Sequence, residues 1–98
     1  MKRMIVVCAA LMALTGCAKK DDWTAFVFPN RDDMPLAPEV EKYIQGKYSS
    51  FDECQSAAVA AVRQSDERTG LTGDYDCGFK CTIRPDMGGL LICKTDRK

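Results

Sequence analysis

The residues of this 98-residue chain best suited to chemistry are its six cysteines, namely Cys8, Cys17, Cys54, Cys77, Cys81 and Cys93. A cysteine can form a disulfide, ligate a metal or act as a nucleophile. The chain contains no histidine. This excludes every mechanism in which an imidazole serves as base, proton shuttle or metal ligand. Thiols and carboxylates are therefore the first candidates for a reactive group.

The first cysteine, Cys8, lies in a segment with the composition of an export signal. Lys2 and Arg3 precede an uninterrupted apolar stretch of eleven residues, positions 4–14. That stretch is shorter than the roughly 20 residues needed to cross a bilayer, but it matches the hydrophobic region of a signal peptide. A buried helix of the mature domain is the alternative, and the terminal position behind two cations disfavours it.

The residues that follow, Leu14-Thr15-Gly16-Cys17, resemble the lipobox of bacterial lipoproteins. The resemblance implies that Cys17 receives a diacylglycerol thioether, that residues 1–16 are removed as a signal peptide, and that a fatty acid such as palmitate acylates the new amino group. Two or three acyl chains anchor a protein stably to a membrane. In this family an aspartate after the cysteine favours retention in the inner membrane. Ala18 stands there, which implies a lipid anchor in the outer membrane, facing the periplasm.

The other four cysteines are Cys54, Cys77, Cys81 and Cys93, an even number in a chain expected to be exported, where disulfides form. A zinc site of four thiolates is the alternative. Three residues separate Cys77 from Cys81, whereas zinc-ligand pairs and thioredoxin-like redox pairs usually have two. The sequence therefore predicts two disulfides, no metal and no cofactor. Four cysteines allow three pairings.

A helix is predicted to begin after Ser50, whose hydroxyl can accept from the Glu53 amide while the Glu53 carboxylate reaches back to the Ser50 amide. The alanine-rich residues 54–68 favour a helix, and Thr69-Gly70 ends it. The apolar stripe of this helix comprises Phe51, Cys54, Ala58, Ala61 and Val62. Small side chains on that stripe allow the helix to lie close to a sheet.

Strands are predicted on both sides of the helix. Residues 23–28 are rich in aromatic and β-branched side chains, and residues 43–48 have both helical and strand spacing, with Gly46 favouring a strand. Tyr75 and Cys77 begin another strand, in which Gly78 predicts a bulge or a bend. Residues 95–98 are predicted to be a polar tail.

A β-hairpin is predicted around residues 85–89, which separate two apolar segments. If its loop is centred on Met87, Ile83 faces Leu91 and Cys81 faces Cys93. This register favours a Cys81–Cys93 disulfide and leaves Cys54 to pair with Cys77, whereas a slip of one residue would turn Cys81 to the other face.

The elements together predict three parts of the chain: a signal peptide at 1–16, a lipidated cysteine and tether at 17–22, and a domain at 23–98. The expected fold class is α+β. The domain is small and disulfide-stabilised, with one helix packed on a short, mostly antiparallel sheet.

The carboxylates do not suggest a catalytic pair. Asp32-Asp33, Asp52-Glu53 and Asp66-Glu67 are adjacent residues in a loop or on a helix, so their side chains point in different directions and are expected to be solvated. Removing residues 1–16 takes Lys2 and Arg3 from the 14 basic residues and leaves 12 against 14 acidic ones, a net charge of −2. This balance predicts no nucleic-acid partner, and the sequence predicts no catalytic residue.

The mature chain also resembles a group of small cysteine-containing bacterial envelope proteins without assigned function. The resemblance rests on Phe26-Val27-Phe28-Pro29, residues 46–54, residues 75–81 and Cys93-Lys94, and it implies a compact α+β domain held by disulfides. Residues 46–54 are also similar to part of SPOR domains, which bind peptidoglycan glycans. Those domains have two helices, whereas this chain has room for one.

These features predict a membrane-anchored bacterial lipoprotein, held by the lipid on Cys17, with a small non-catalytic binding or structural domain in the cell envelope. Its expected partner is an envelope protein or peptidoglycan. The alternative is an inhibitor of a cell-wall hydrolase such as lysozyme. In that case the loop at residues 85–89 would enter the cleft of the enzyme.

Overall fold

The computed structural model describes residues 20–98. The predicted signal peptide and the predicted lipidation site at Cys17 lie outside the described residues. One α-helix, α1, spans Phe51–Thr69, and short 3-10 helices span Ala37–Tyr43 and Pro85–Met87. The strands are β1 (Trp23–Phe28), β2 (Ile44–Tyr48), β3 (Asp74–Phe79), β4 (Thr82–Arg84), β5 (Leu90–Ile92) and β6 (Thr95–Arg97).

Helix α1 begins and ends at local signals in the sequence. The Glu53 amide donates to the Ser50 hydroxyl at 3.1 Å, as predicted, and the Glu53 carboxylate accepts from the Ser49 hydroxyl at 2.8 Å. At the other end Gly70 has a left-handed φ of 77°. Its N–H donates to the Asp66 carbonyl at 2.8 Å. Glycine adopts this conformation without the strain that a Cβ atom would cause, so the helix stops there.

Strands β2, β1, β3 and β6 form a four-stranded antiparallel sheet in that order. Helix α1 covers one face, where Ala25, Cys54, Ala58 and Cys77 form the buried centre of the core. Partly buried side chains surround this centre, namely Trp23, Val27, Tyr48, Phe51 and Tyr75. The predicted fold class, an α+β domain with one helix packed on an antiparallel sheet, is confirmed.

The predicted polar tail is wrong, because residues 95–97 form the edge strand β6. Arg97 lies opposite Cys77 on β3, and its guanidinium group lies 4.0 Å from the centre of the Phe51 ring. The N–H of Lys94 donates to the Phe79 carbonyl at 2.8 Å. An edge strand exposed to solvent has little need of apolar side chains, so its sequence does not show the usual alternation.

Two disulfides connect these elements. Cys54–Cys77 joins α1 to β3, and Cys81–Cys93 closes the base of the β4–β5 hairpin. Ile83 lies opposite Leu91, so the predicted hairpin register is confirmed. The cysteine pairing is the one that this register favours.

Gly78 does not form the predicted bulge or bend. The ladder between β1 and β3 runs without interruption, with Thr24 opposite Gly78. A Cβ atom at Gly78 would lie 2.5 Å from the Cys93 sulfur and 2.6 Å from the Cys81 sulfur. The glycine is therefore required because the hairpin disulfide packs directly against the strand.

The Ser65 side chain offers a test of packing between α1 and the sheet. Ser65 is 5% exposed, and its hydroxyl has no hydrogen-bond partner among residues 20–98. We expect Ser65→Ala to raise the free energy of unfolding by about 1 kcal/mol, because a buried hydroxyl without a partner is destabilising. Urea denaturation measures the change.

The control for this prediction is Ser56→Ala, at an exposed position of the same helix. It reports the gain that follows from the higher helix propensity of alanine alone. A gain for Ser65→Ala no larger than that of the control would contradict the prediction.

Candidate functional site

A cleft of about 780 Å³ lies on the sheet face opposite α1. Phe26 and Phe28 on β1 form its apolar floor, and both are almost fully buried. Val40 from the longer 3-10 helix and Leu91 from β5 form part of its walls. The cleft therefore combines a rigid, apolar base with walls contributed by segments distant in the sequence.

Two local features hold the walls in place. The Tyr43 ring at the end of the 3-10 helix packs on Phe28, with ring centroids 5.6 Å apart. The Cys81–Cys93 disulfide fixes the β4–β5 hairpin over Gly78. The 3-10 helix and β5 also contact each other, so the two segments form one continuous cover over this face of the sheet.

Two carboxyl groups meet in the cleft wall. Asp76 on β3 lies beside Phe26, and Asp96 on β6 lies opposite Gly78, which makes the aspartates diagonal neighbours on one face. This register brings their carboxyl groups close enough to interact. Burial, followed by the contact with Asp96, raises the pKa of Asp76 to about 6.

The carboxyl group of Asp74 behaves in the opposite way. Lys98 donates to it and forms an ion pair at 2.7 Å, and this hydrogen bond lowers the pKa of Asp74. The cleft wall thus contains two different carboxyl groups. Asp74 is a carboxylate stabilised by a cation, whereas Asp76 retains its proton more readily.

The arrangement of Asp76 and Asp96 does not match the carboxyl spacing of glycoside hydrolases. The catalytic carboxyl groups of retaining glycoside hydrolases lie about 5 Å apart, and those of inverting enzymes lie further apart, so that a substrate bond fits between them. Here the two side chains are diagonal neighbours on adjacent strands, close enough for Asp96 to raise the pKa of Asp76. The cleft brings Phe26 and Phe28 together with two neighbouring carboxyl groups.

Sequence reasoning missed the Asp76–Asp96 pair, because it treated residues 95–98 as a tail. Two of the adjacent carboxylates have local structural contacts: Glu53 at the helix start, and Asp66, which accepts from the Gly73 amide at 2.8 Å. Within residues 20–98, no three side chains of the His, Cys, Asp or Glu types are grouped as metal ligands.

The loop predicted to enter an enzyme cleft is a short turn at the end of the β4–β5 hairpin. It contains the 3-10 helix Pro85–Met87, and Gly88 and Gly89 follow with φ angles of 74° and 82°. The Arg84 guanidinium group donates twice to the Asp86 carboxylate, at 2.8 and 3.0 Å. The Met87 side chain is exposed.

The raised pKa of Asp76 predicts a pH-dependent stability. The pKa of Asp76 is about 6 in the folded state, against an ordinary value of 3.8. Its contribution to the stability of the fold is therefore fully present below pH 3.8 and is lost as the pH rises through about 6. We therefore expect Asp76→Asn to lose less stability than the wild type between pH 4 and pH 7. Urea denaturation across this range measures the difference.

The control for this measurement is Asp33→Asn, in an exposed turn, which should follow the wild-type profile. Asp74 also makes the stability depend on pH, but in the opposite direction, because its lowered pKa adds stability as the pH rises. Asp74 is present in the wild type and in both variants, so its contribution does not affect the comparison. Parallel profiles for the wild type and Asp76→Asn would contradict the prediction.

Among residues 20–98, no helix has both the length and the apolar character needed to cross a membrane. Comparison of the chain with protein-family models, with curated proteins and with solved structures finds no match.

Proposed function

We propose that this protein is a membrane-anchored bacterial lipoprotein whose small domain binds a macromolecular partner in the cell envelope and has no catalytic role. The observation that carries the proposal is the combination of a lipobox-like segment ending at Cys17 with a domain that contains two disulfides. Both features fit an exported protein in an oxidising compartment. An anchor in the outer membrane, facing the periplasm, is part of the proposal.

The start of the domain supports a position close to the membrane. The Asp22 carbonyl accepts from the Lys80 amide at 2.7 Å, and β1 begins at Trp23, so the chain is attached to the sheet from this point. Five residues separate a lipid on Cys17 from that attachment. At about 3.5 Å for each extended residue, the domain would lie within about 20 Å of the membrane surface, and its partner would have to reach this layer.

Replacing Cys17 tests the anchor. We expect Cys17→Ala, expressed in a bacterial host, to incorporate no labelled fatty acid and to remain unprocessed, because the thiol that accepts the lipid is absent. Metabolic labelling and mass spectrometry measure both properties, and membrane fractionation locates the wild-type protein. Cys8→Ala is the control, because its cysteine lies in the segment to be removed. Labelling and cleavage of Cys17→Ala as in the wild type would contradict the proposal.

The cleft is the proposed binding site, because it is concave and combines apolar side chains such as Phe26 and Leu91 with several charged groups. Photo-crosslinking in the cell tests this assignment without presuming a partner. A photoreactive residue at Met34, on the cleft, should give a defined adduct. The same residue at Leu71, away from the cleft, should not, although both side chains are 46% exposed. Equal adducts from both positions would contradict the assignment.

A second candidate function is inhibition of a cell-wall hydrolase such as lysozyme. The observation in its favour is the turn at residues 85–89, which has an exposed Met87, an Arg84–Asp86 ion pair and a disulfide at the base of its hairpin. Such a turn is already ordered before it binds, which reduces the entropy lost on binding. The domain should then reduce lysozyme activity, and Met87→Asp should weaken this effect.

Unchanged lysozyme activity would exclude inhibition of that enzyme. Co-sedimentation of the domain with purified peptidoglycan, in the same preparation, would instead identify the glycan as the partner.

A further inference from the structure

Strand β6 is the least secured part of the sheet. It contains only three residues, Thr95–Arg97, which are all exposed, and it pairs on one side only, with β3. The chain before it is firmly held, because Cys93 is in a disulfide and the Lys94 amide donates to Phe79. Short terminal edge strands open at low free energy, so a detachment of β6 would begin after Lys94.

The contact between Asp76 and Asp96 opposes this pairing when both groups are ionised. Two carboxylates have only acceptor atoms, whereas a protonated carboxyl group can donate to its neighbour. Like charges on neighbouring strands destabilise a sheet. Because Asp76 belongs to β3 and Asp96 to β6, the repulsion acts across the weakest strand pair.

The charged groups around the pair do not neutralise it. Lys98 is the cation that acts on Asp76, but it is already paired with Asp74 at 2.7 Å. Arg97 is among the residues that line the cleft, but its guanidinium group lies over the Phe51 ring. Lys94 lies in the cleft lining at an exposed position, and β1, the 3-10 helix and β5 contribute the uncharged Phe26, Val40 and Leu91 there.

From this geometry we infer that β6 is a pH-responsive element, which pairs with β3 while one of the two neighbouring carboxyl groups is uncharged and detaches more often when both are charged. Detachment would remove part of the cleft wall, since Asp96 and its neighbours on β6 line the cleft. The accessibility of the cleft would then rise with pH. This inference holds whatever the cleft binds, so it does not depend on the proposed function.

Amide hydrogen exchange, followed by NMR on the full chain in a mild detergent, tests the inference. We expect the protection factors of the amides between β3 and β6 to fall about tenfold from pH 5 to pH 8, a modest change because solvent screens a partly exposed pair. Protection factors between β1 and β3 should stay constant. A wild-type protein whose β6 protection does not change with pH would overturn the inference.

Two variants and one control separate the carboxyl pair from other causes. Asp76→Asn and Asp96→Asn each leave a single carboxylate, so β6 protection should no longer depend on pH in either. Asp33→Asn, in an exposed turn outside the cleft lining, is the control and should keep the wild-type fall in β6 protection. Retention of the wild-type fall in the two pair variants would show that the Asp76–Asp96 contact is not the cause.

Discussion

The double variant Cys54→Ala/Cys77→Ala is expected to lose about 3 kcal/mol or more of its free energy of unfolding. The disulfide joins residues 23 positions apart. A cross-link over that length lowers the entropy of the unfolded chain and thereby stabilises the folded state by about 3 kcal/mol, which the variant loses. Both cysteines are fully buried beside Ala25 and Ala58, so removing the sulfur atoms also reduces core packing. For a small domain, whose stability is on the order of 5 kcal/mol, this loss leaves little folded protein.

Urea denaturation of this variant measures the loss, and Cys81→Ala/Cys93→Ala is the matched control. Its disulfide spans 12 residues and lies outside the core centre, so we expect a smaller effect. A reducing agent should unfold the wild-type domain by opening both disulfides. An unchanged thermal midpoint after complete reduction, or alkylation of all four thiols without prior reduction, would contradict the prediction.

Gly78→Ala is expected to destabilise the domain by about 1–3 kcal/mol, as overpacking of a buried site does. The new methyl group would lie 2.5 Å from the Cys93 sulfur, and neither the disulfide nor the continuous β1–β3 ladder can move freely. Urea denaturation gives the size of the effect. For comparison, Gly46→Ala in β2 would place its Cβ atom 2.8 Å from the Tyr48 hydroxyl, which donates to Gln45, so it measures the cost of displacing one side chain and not a disulfide.

The cause of the Gly78 effect can be isolated by combining the substitutions. In the Cys81→Ala/Cys93→Ala background the two sulfur atoms are absent, so Gly78→Ala should destabilise much less than in the wild type. An equal loss in both backgrounds would show that the clash with the disulfide is not the reason for this glycine.

Short-range patterns allowed several features to be predicted from the sequence. The Ser50 cap and the Gly70 terminus depend on residues within one helical turn, and such contacts form almost independently of the rest of the fold. The hairpin register depends on one turn, which places Ile83 opposite Leu91. With the register known, only one of the three disulfide pairings had a clear geometric basis.

The features that could not be predicted all depend on strand pairs distant in the sequence. The pairing of β6 with β3 is set by the sheet and by Arg97 packing over Phe51, not by any apolar alternation within residues 95–98. The role of Gly78 depends on the position of the Cys81–Cys93 disulfide. This disulfide packs against β3 only when the β4–β5 hairpin has its position in the folded domain.

The sequence by itself determined the helix, the hairpin and the cysteines available for disulfides, because each of these depends on neighbouring residues. An anchor at Cys17 stays a prediction from the sequence. Only the tertiary structure decided that a cleft with an aromatic floor and charged walls faces away from α1 and that Asp76 is a neighbour of Asp96 in it. The physical reason is that a contact between carboxyl groups 20 positions apart depends on strand order and register. These follow from the packing of the whole domain and not from local preference.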